Sequence, residues 1–111
     1  MDKEARIKEK IRKLKAIYKD LDKNKLQAVD SLIRTAAFII VSLEDLQETI
    51  NVEGYVDEYK NGENQYGTKQ SEAVKTHLAM TKNLTVIIKQ LADIAPPVRA
   101  KKTALQMLKD A

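Results

Sequence analysis

Six consecutive apolar residues, Ala36 to Val41 (AAFIIV), sit in the middle of a stretch whose other apolar residues recur at helical spacing. From Lys25 to Ile50 the seam reads Leu26, Val29, Ile33, Ala36 or Ala37, Ile40, Leu43, Leu46 or Gln47, and Ile50, the 3.6-residue period of one long helix. A helix that is apolar all round for more than one turn has to be covered from several sides. It is either the central helix of a three-helix bundle within one chain or a helix packed against a second subunit. The small side chains of Ala36 and Ala37 favour close approach, so the girdle, with Ile39, Ile40 and Leu43, is the expected oligomer interface. As a run it is far too short to span a bilayer, and no membrane contact is expected.

Two further helices follow from the same periodicity. The first covers about residues 3–21, with Ile7, Ile11, Leu14, Ile17 or Tyr18, and Leu21 on one stripe. Leu21-Asp22-Lys23-Asn24 then breaks the pattern, and Asp22 or Asn24 can cap the next helix by accepting from its free N–H groups. The last main helix starts near Ser71, a capping residue, and continues through Val74, Leu78, Thr81, Leu84 or Thr85, Ile87, Ile88, Leu91 and Ile94. Pro96-Pro97 ends it, because neither proline has an N–H to give and the second forces the first out of helical geometry. Beyond lies VRAKKTALQMLKDA, which reads as a short basic amphipathic helix.

The expected fold is therefore all-α, a single helical domain over residues 1–111. A basic N-terminal helix spans 1–22, core and oligomerisation helices span 24–95 (main helices at about 25–51 and 71–95), and a basic tail covers 98–111. One domain suits 111 residues. An apolar fraction of 43% with only 5% aromatic residues makes a thin core for a lone monomer, which again points to oligomerisation.

Between the second and third helices, residues 54–70 break the pattern with a long polar loop or a short β-ribbon. Gly54, just past the last seam residues, is a natural helix C-cap, since glycine enters positive-φ backbone at little cost. Asn61-Gly62 is a strong hairpin-turn signal, and GYVDEY and ENQYGTK on either side have modest strand character. A ribbon of this size needs a helix to lean on.

Charge is unevenly distributed. Residues 1–25 carry ten Lys/Arg against five Asp/Glu (+5), residues 26–98 six against ten (−4), and residues 99–111 four against one (+3). Basic ends on an acidic body fit contact with a polyanion, of which nucleic acid is the commonest; the plainer alternative is a solubilising surface. The candidate DNA contacts are Lys8, Arg12, Lys15 and Lys19 on one face of the first helix, with Arg99, Lys101 and Lys102 in the tail.

Catalytic chemistry finds little footing. There is no Cys, and the single His77 has no second His or Cys with which to hold a metal. Gly62 and Gly67 are followed by Thr68-Lys69 in the wrong spacing for a P-loop, and no strand-to-helix P-loop context surrounds them. Glu44-Asp45 and Asp57-Glu58 are sequence neighbours whose side chains diverge, so they form no carboxylate dyad. Neither enzyme activity nor a cofactor or metal is expected. The charged N-terminus MDKEARIKEKIRK is no signal peptide, and a cytoplasmic setting follows.

Gly54, Tyr59, Asn61-Gly62, Gln65, Gly67 and Lys69, then a long helix ending in LADIAPPVRAKKTAL, resemble the small subunit of P27-type phage terminases. That family has a glycine-containing segment with an NG…Q core, then a helix, then a proline and arginine at fixed spacing, here Pro96-Pro97-Val98-Arg99. The similarity spans roughly Leu26 to Leu108. The family's long proline-rich N-terminal portion is replaced by a basic helix, and Ala95 stands where glycine is usual. The resemblance implies a non-catalytic, DNA-binding subunit that assembles into an oligomer, such as a ring, in the host cytoplasm. It would recognise viral double-stranded DNA and regulate a large subunit with ATPase and nuclease activity. It also implies that Tyr59, Asn61, Gly62, Gln65, Tyr66 and Gly67 form a recognition loop. The competing expectation is a small helical phage or mobile-element interaction protein, an inhibitor or antitoxin-like partner without DNA binding.

Overall fold

The computed structural model describes residues 2–60, 62 and 66–94, with backbone only at 59 and 60. Its elements are α1 (Lys3–Ile17), α2 (Lys23–Glu53), β1 (Val56–Lys60), β2 (Tyr66–Gln70) and α3 (Glu72–Ile94). The expected all-α architecture with a small antiparallel ribbon is thus the observed one. The C-terminal helix expected in 98–111 lies outside the described residues.

Helix ends differ from the periodicity by a few residues, for identifiable reasons. α1 stops at Ile17 rather than Leu21 because the chain turns at Tyr18–Asp20, where the Leu21 N–H donates to the Tyr18 carbonyl at 3.2 Å. Asp22, not Asn24, caps α2, its Oδ1 accepting from the Lys25 N–H at 2.9 Å, so the helix starts earlier than expected. At the other end the Gly54 N–H closes the last turn on the Ile50 carbonyl at 2.8 Å. Gly54 then has φ 83° and ψ −168°, an extended mirror-image conformation rather than the left-handed helical one, and this swings the chain straight into β1.

Ser71 caps α3 as expected. Its Oγ accepts from the Ala73 and Val74 N–H groups at 3.1 and 3.4 Å, and Asp57 of β1 accepts from the Glu72 N–H at 3.3 Å. With the Ser71 N–H donating to the Tyr55 carbonyl, these bonds fix the ribbon at its base. The register that results is Val56↔Gln70 through Lys60↔Tyr66. A two-residue Asn-Gly turn would instead pair Lys60 with Glu63. Five residues, 61–65, separate the two ends of the ladder, so the pairing set at the base overrides the local turn signal. Gly62 keeps the positive φ that the turn signal implied, at 94°.

α1 and α3 both pack on α2 and hardly touch each other, so they flank it. The core joins Leu14 and Tyr18, then Val29, Ile33, Ala36, Ala37, Ile39 and Leu43 of α2, then Leu84, Ile88 and Leu91 of α3. Full burial of a side chain such as Leu84 stabilises by about 1.5–3 kcal/mol. The apolar girdle is explained by this flanking: Ala36, Ala37, Ile39, Val41 and Leu43 are buried within one chain, and Ile40 is half-buried against the same core. Of the residues expected at an oligomer interface, Ala36, Ala37, Ile39 and Leu43 are thus covered by the protomer's own helices, and Ile40 keeps part of its surface exposed. Phe38, 47% exposed, is the girdle residue left facing outward.

By length and composition α2 could cross a membrane, but its apolar stripe is the one buried against α1 and α3. Thr76 and Met80 of α3 border a groove with Ser42, Asp45, Leu46 and Thr49 of α2, so α3 runs antiparallel to α2. Ile94 consequently returns to the end of the bundle where α1 turns into α2. The described body is elongated, 64 × 28 × 21 Å, with the helix corner at one end and the ribbon at the other.

Candidate nucleic-acid and partner surfaces

Lys8, Arg12, Lys15 and Lys19 are exposed and share one flank of the helical segment, beside the stripe of Ile7, Ile11, Leu14 and Tyr18. Over the helical part the spacing is about 1.5 Å per residue, which makes a straight cationic row. Three of the four are engaged. Lys8 lies 3.8 Å from Glu4, Arg12 donates from Nε to Glu9 at 3.1 Å, and Lys15 reaches across to Asp30 of α2 at 3.0 Å. The Arg12 hydrogen bond holds the Glu9 carboxyl below its ordinary range, and Asp30 is held down first by Arg34, then by Lys15. These pairs are exposed and individually weak, but they oppose the row's attraction for an anion.

The first half of α1 is drawn to α2 in the same way. Arg6 donates to Asp45 at 2.7 Å and approaches Glu44 at 3.4 Å, while Lys3 lies 4.0 Å from Asp45 and 4.9 Å from the Phe38 ring centroid. Glu44 and Asp45, expected to diverge, thus converge on one guanidinium and anchor the start of α1.

Lys19, Lys23 and Lys25 have no ion pair among the described residues. They surround the corner between α1 and α2, where Lys23 and Lys25 occupy the first turn of α2 with no acidic residue inside that turn. Sequence reasoning had no means of singling them out over Lys8 and Arg12, since the difference lies in which carboxylates are nearby in space. Arg99, Lys101 and Lys102 lie outside the described residues.

The ribbon end is opposite in character. Among its described residues from 44 to 72, seven Asp/Glu stand against two Lys, a net −5. Val52 (82% exposed), Tyr55 (74%) and Val56 are solvent-facing there, as is Tyr66 on β2. Gly67 and Gly62 are placed by the ribbon, whereas Asn61 and Gln65, and the Tyr59 side chain, lie outside the described residues. His77 is half-buried on α3, and among the described residues no group of His, Cys, Asp and Glu is arranged to hold a metal.

One cleft, of about 230 Å³, lies beside the corner between Tyr18, Leu26, Val29 and Ile33, with Lys15 and Asp30 at its rim. It is mainly apolar and carries no nucleophile paired with a base. No family model matches the chain, and no curated protein or solved structure is significantly similar to it.

Proposed function

We propose that the chain is a non-catalytic DNA-binding subunit of the phage-terminase small-subunit type, acting in the host cytoplasm as the partner of a large subunit that supplies ATPase and nuclease activity. The observation that carries this reading is the group of uncompensated lysines at the corner, Lys19, Lys23 and Lys25, gathered at the positive end of the α2 dipole. Nucleic-acid phosphates are the ligand suited to such a surface. The resemblance in the glycine, NG…Q, proline and arginine spacing supports the choice of family. Contacts of this kind are to backbone phosphate, so affinity is sequence-tolerant and falls steeply with salt through counterion release.

The corner lysines should matter more than the α1 row. Replacing Lys19, Lys23 and Lys25 with Glu is expected to abolish a gel shift of double-stranded DNA at low salt. Replacing Lys8 and Arg12 with Glu, which also leaves Glu4 and Glu9 unpaired, is expected to weaken it less. A corner variant that binds like wild type removes the corner as the DNA contact, and an unshifted wild-type protein removes the DNA-binding reading. The pairing of Lys8, Arg12 and Lys15 with carboxylates would then favour the small helical interaction protein.

A further inference from the structure

We propose that two copies of this chain associate end to end, the acidic ribbon end of one seated on the lysine-bearing corner of the next. The inference builds on the reading above, in which the same corner takes nucleic acid, and it names the surfaces through which the protein would assemble.

The argument starts from α2, which runs nearly the full length of the bundle. A helix favours acidic side chains at its N-terminus and basic ones at its C-terminus. Beyond its capping Asp22, α2 does the reverse. Its first turn carries Lys23 and Lys25 with no acid, and its last turn has no base and ends on Glu53. Charges set against the local rule at both ends of one helix are what a surface kept for a partner looks like.

Each end also has the chemistry the other lacks. From 13 to 27 the corner carries Lys13, Lys15, Lys19, Lys23 and Lys25 against Asp20 and Asp22, a net +3, and Leu26 is partly exposed beside them. The ribbon end carries its net −5 together with the exposed Val52, Tyr55 and Val56, on backbone held by the Ser71–Tyr55 and Asp57–Glu72 hydrogen bonds. Opposite charges around apolar centres allow a polar rim to enclose a small apolar contact. The girdle residues Ala36, Ala37, Ile39 and Leu43 contribute nothing to such a contact, being spent on the protomer's own core.

Because the two surfaces differ, the contact is heterologous and leaves one free corner and one free ribbon on every pair. The assembly therefore grows until geometry closes it or a polyanion occupies the free corner. Nucleic acid and a neighbouring copy compete for Lys19, Lys23 and Lys25, so DNA regulates the degree of association.

Sedimentation velocity of the full chain, with circular dichroism to verify helix content, tests this. At low salt and tens of micromolar the wild-type mass should rise with concentration, and in about 1 M salt, where the Debye length falls to about 3 Å, it should return to that of a monomer. Glu53→Lys with Glu58→Lys cuts the ribbon end from −5 to −1, and Lys23→Glu with Lys25→Glu turns the corner from +3 to −1. Each double variant alone should stay monomeric, and an equimolar mixture of the two should associate again. If wild type associates but neither double variant alters it, another surface is used and the proposal is overturned, while self-assembly stands. A wild type that is monomeric at low salt overturns it as well, and the gel shift on the same sample decides the DNA reading separately.

Discussion

Tyr18 closes the corner with its ring in the core, 2% exposed, and its hydroxyl has no hydrogen-bond partner among the described residues. A buried polar group left without a partner is destabilising by about 1–3 kcal/mol, whereas the ring itself packs well. Tyr18→Phe is therefore expected to raise stability by roughly 1 kcal/mol, read as a higher urea midpoint at neutral pH. Burial also pushes the Tyr18 phenol above its ordinary value. The folded protein thus favours the neutral phenol, and this contribution is complete below about pH 10 and lost as pH rises through the folded value. Wild type should lose stability in that alkaline window more steeply than Tyr18→Phe. Equal slopes, or a less stable variant, would show that the hydroxyl is bonded after all.

At the scale of elements, the girdle and the ribbon respond differently to substitution. Ile39→Asp places a charge against α3 in the core at a cost of several kcal/mol, so helical circular dichroism should be lost along with any assembly. Phe38→Asp, at the neighbouring half-exposed position, should keep the helices while losing the ring's contact with Lys3, about 0.5–1 kcal/mol, and its place in the groove with Leu46 and Met80. An Ile39→Asp protein that stays helical but becomes smaller would restore the girdle as a subunit interface. Gly54 has nothing within 4 Å of where a Cβ would stand, so Gly54→Ala tests the backbone alone. Its φ and ψ fall in a region nearly confined to glycine, and a loss on the order of 1–3 kcal/mol in thermal or urea unfolding is expected. Wild-type stability would mean that the α2–β1 joint relaxes freely. Gly62→Val, also at positive φ, should cost about 1 kcal/mol and distort the ribbon tip without touching the helix seams.

Across the whole molecule, the governing feature is a charge gradient along a 64 Å body, lysines at the helix corner and carboxylates at the ribbon. On the two proposals above, DNA binding and self-association would share a common salt dependence, since both would draw on the same lysines. Adding short duplex DNA to wild type at low salt should therefore shift sedimenting mass from protein assemblies to protein–DNA complexes. Simultaneous growth of both, with no competition, would place the two partners on separate surfaces.

The sequence by itself determined whatever depends on neighbours a few residues away. Periodic leucines and isoleucines, the Asp22 and Ser71 caps, and the glycine ending α2 were all legible, because helix periodicity and capping act within one or two turns. Tertiary structure decided the rest. Which face covers Ala36–Val41 depends on α1 and α3 arriving from opposite flanks, and which lysines remain available depends on pairs such as Lys15–Asp30 and Arg6–Asp45, fifteen and thirty-nine positions apart. The ribbon register shows the same division, since Asn61-Gly62 proposes a tight turn locally while the bonds from Ser71 to Tyr55 and from Glu72 to Asp57 set the pairing from the base. Local propensity is worth a fraction of a kcal/mol per residue. Several cooperative bonds across the fold, each worth about 1 kcal/mol, outweigh it.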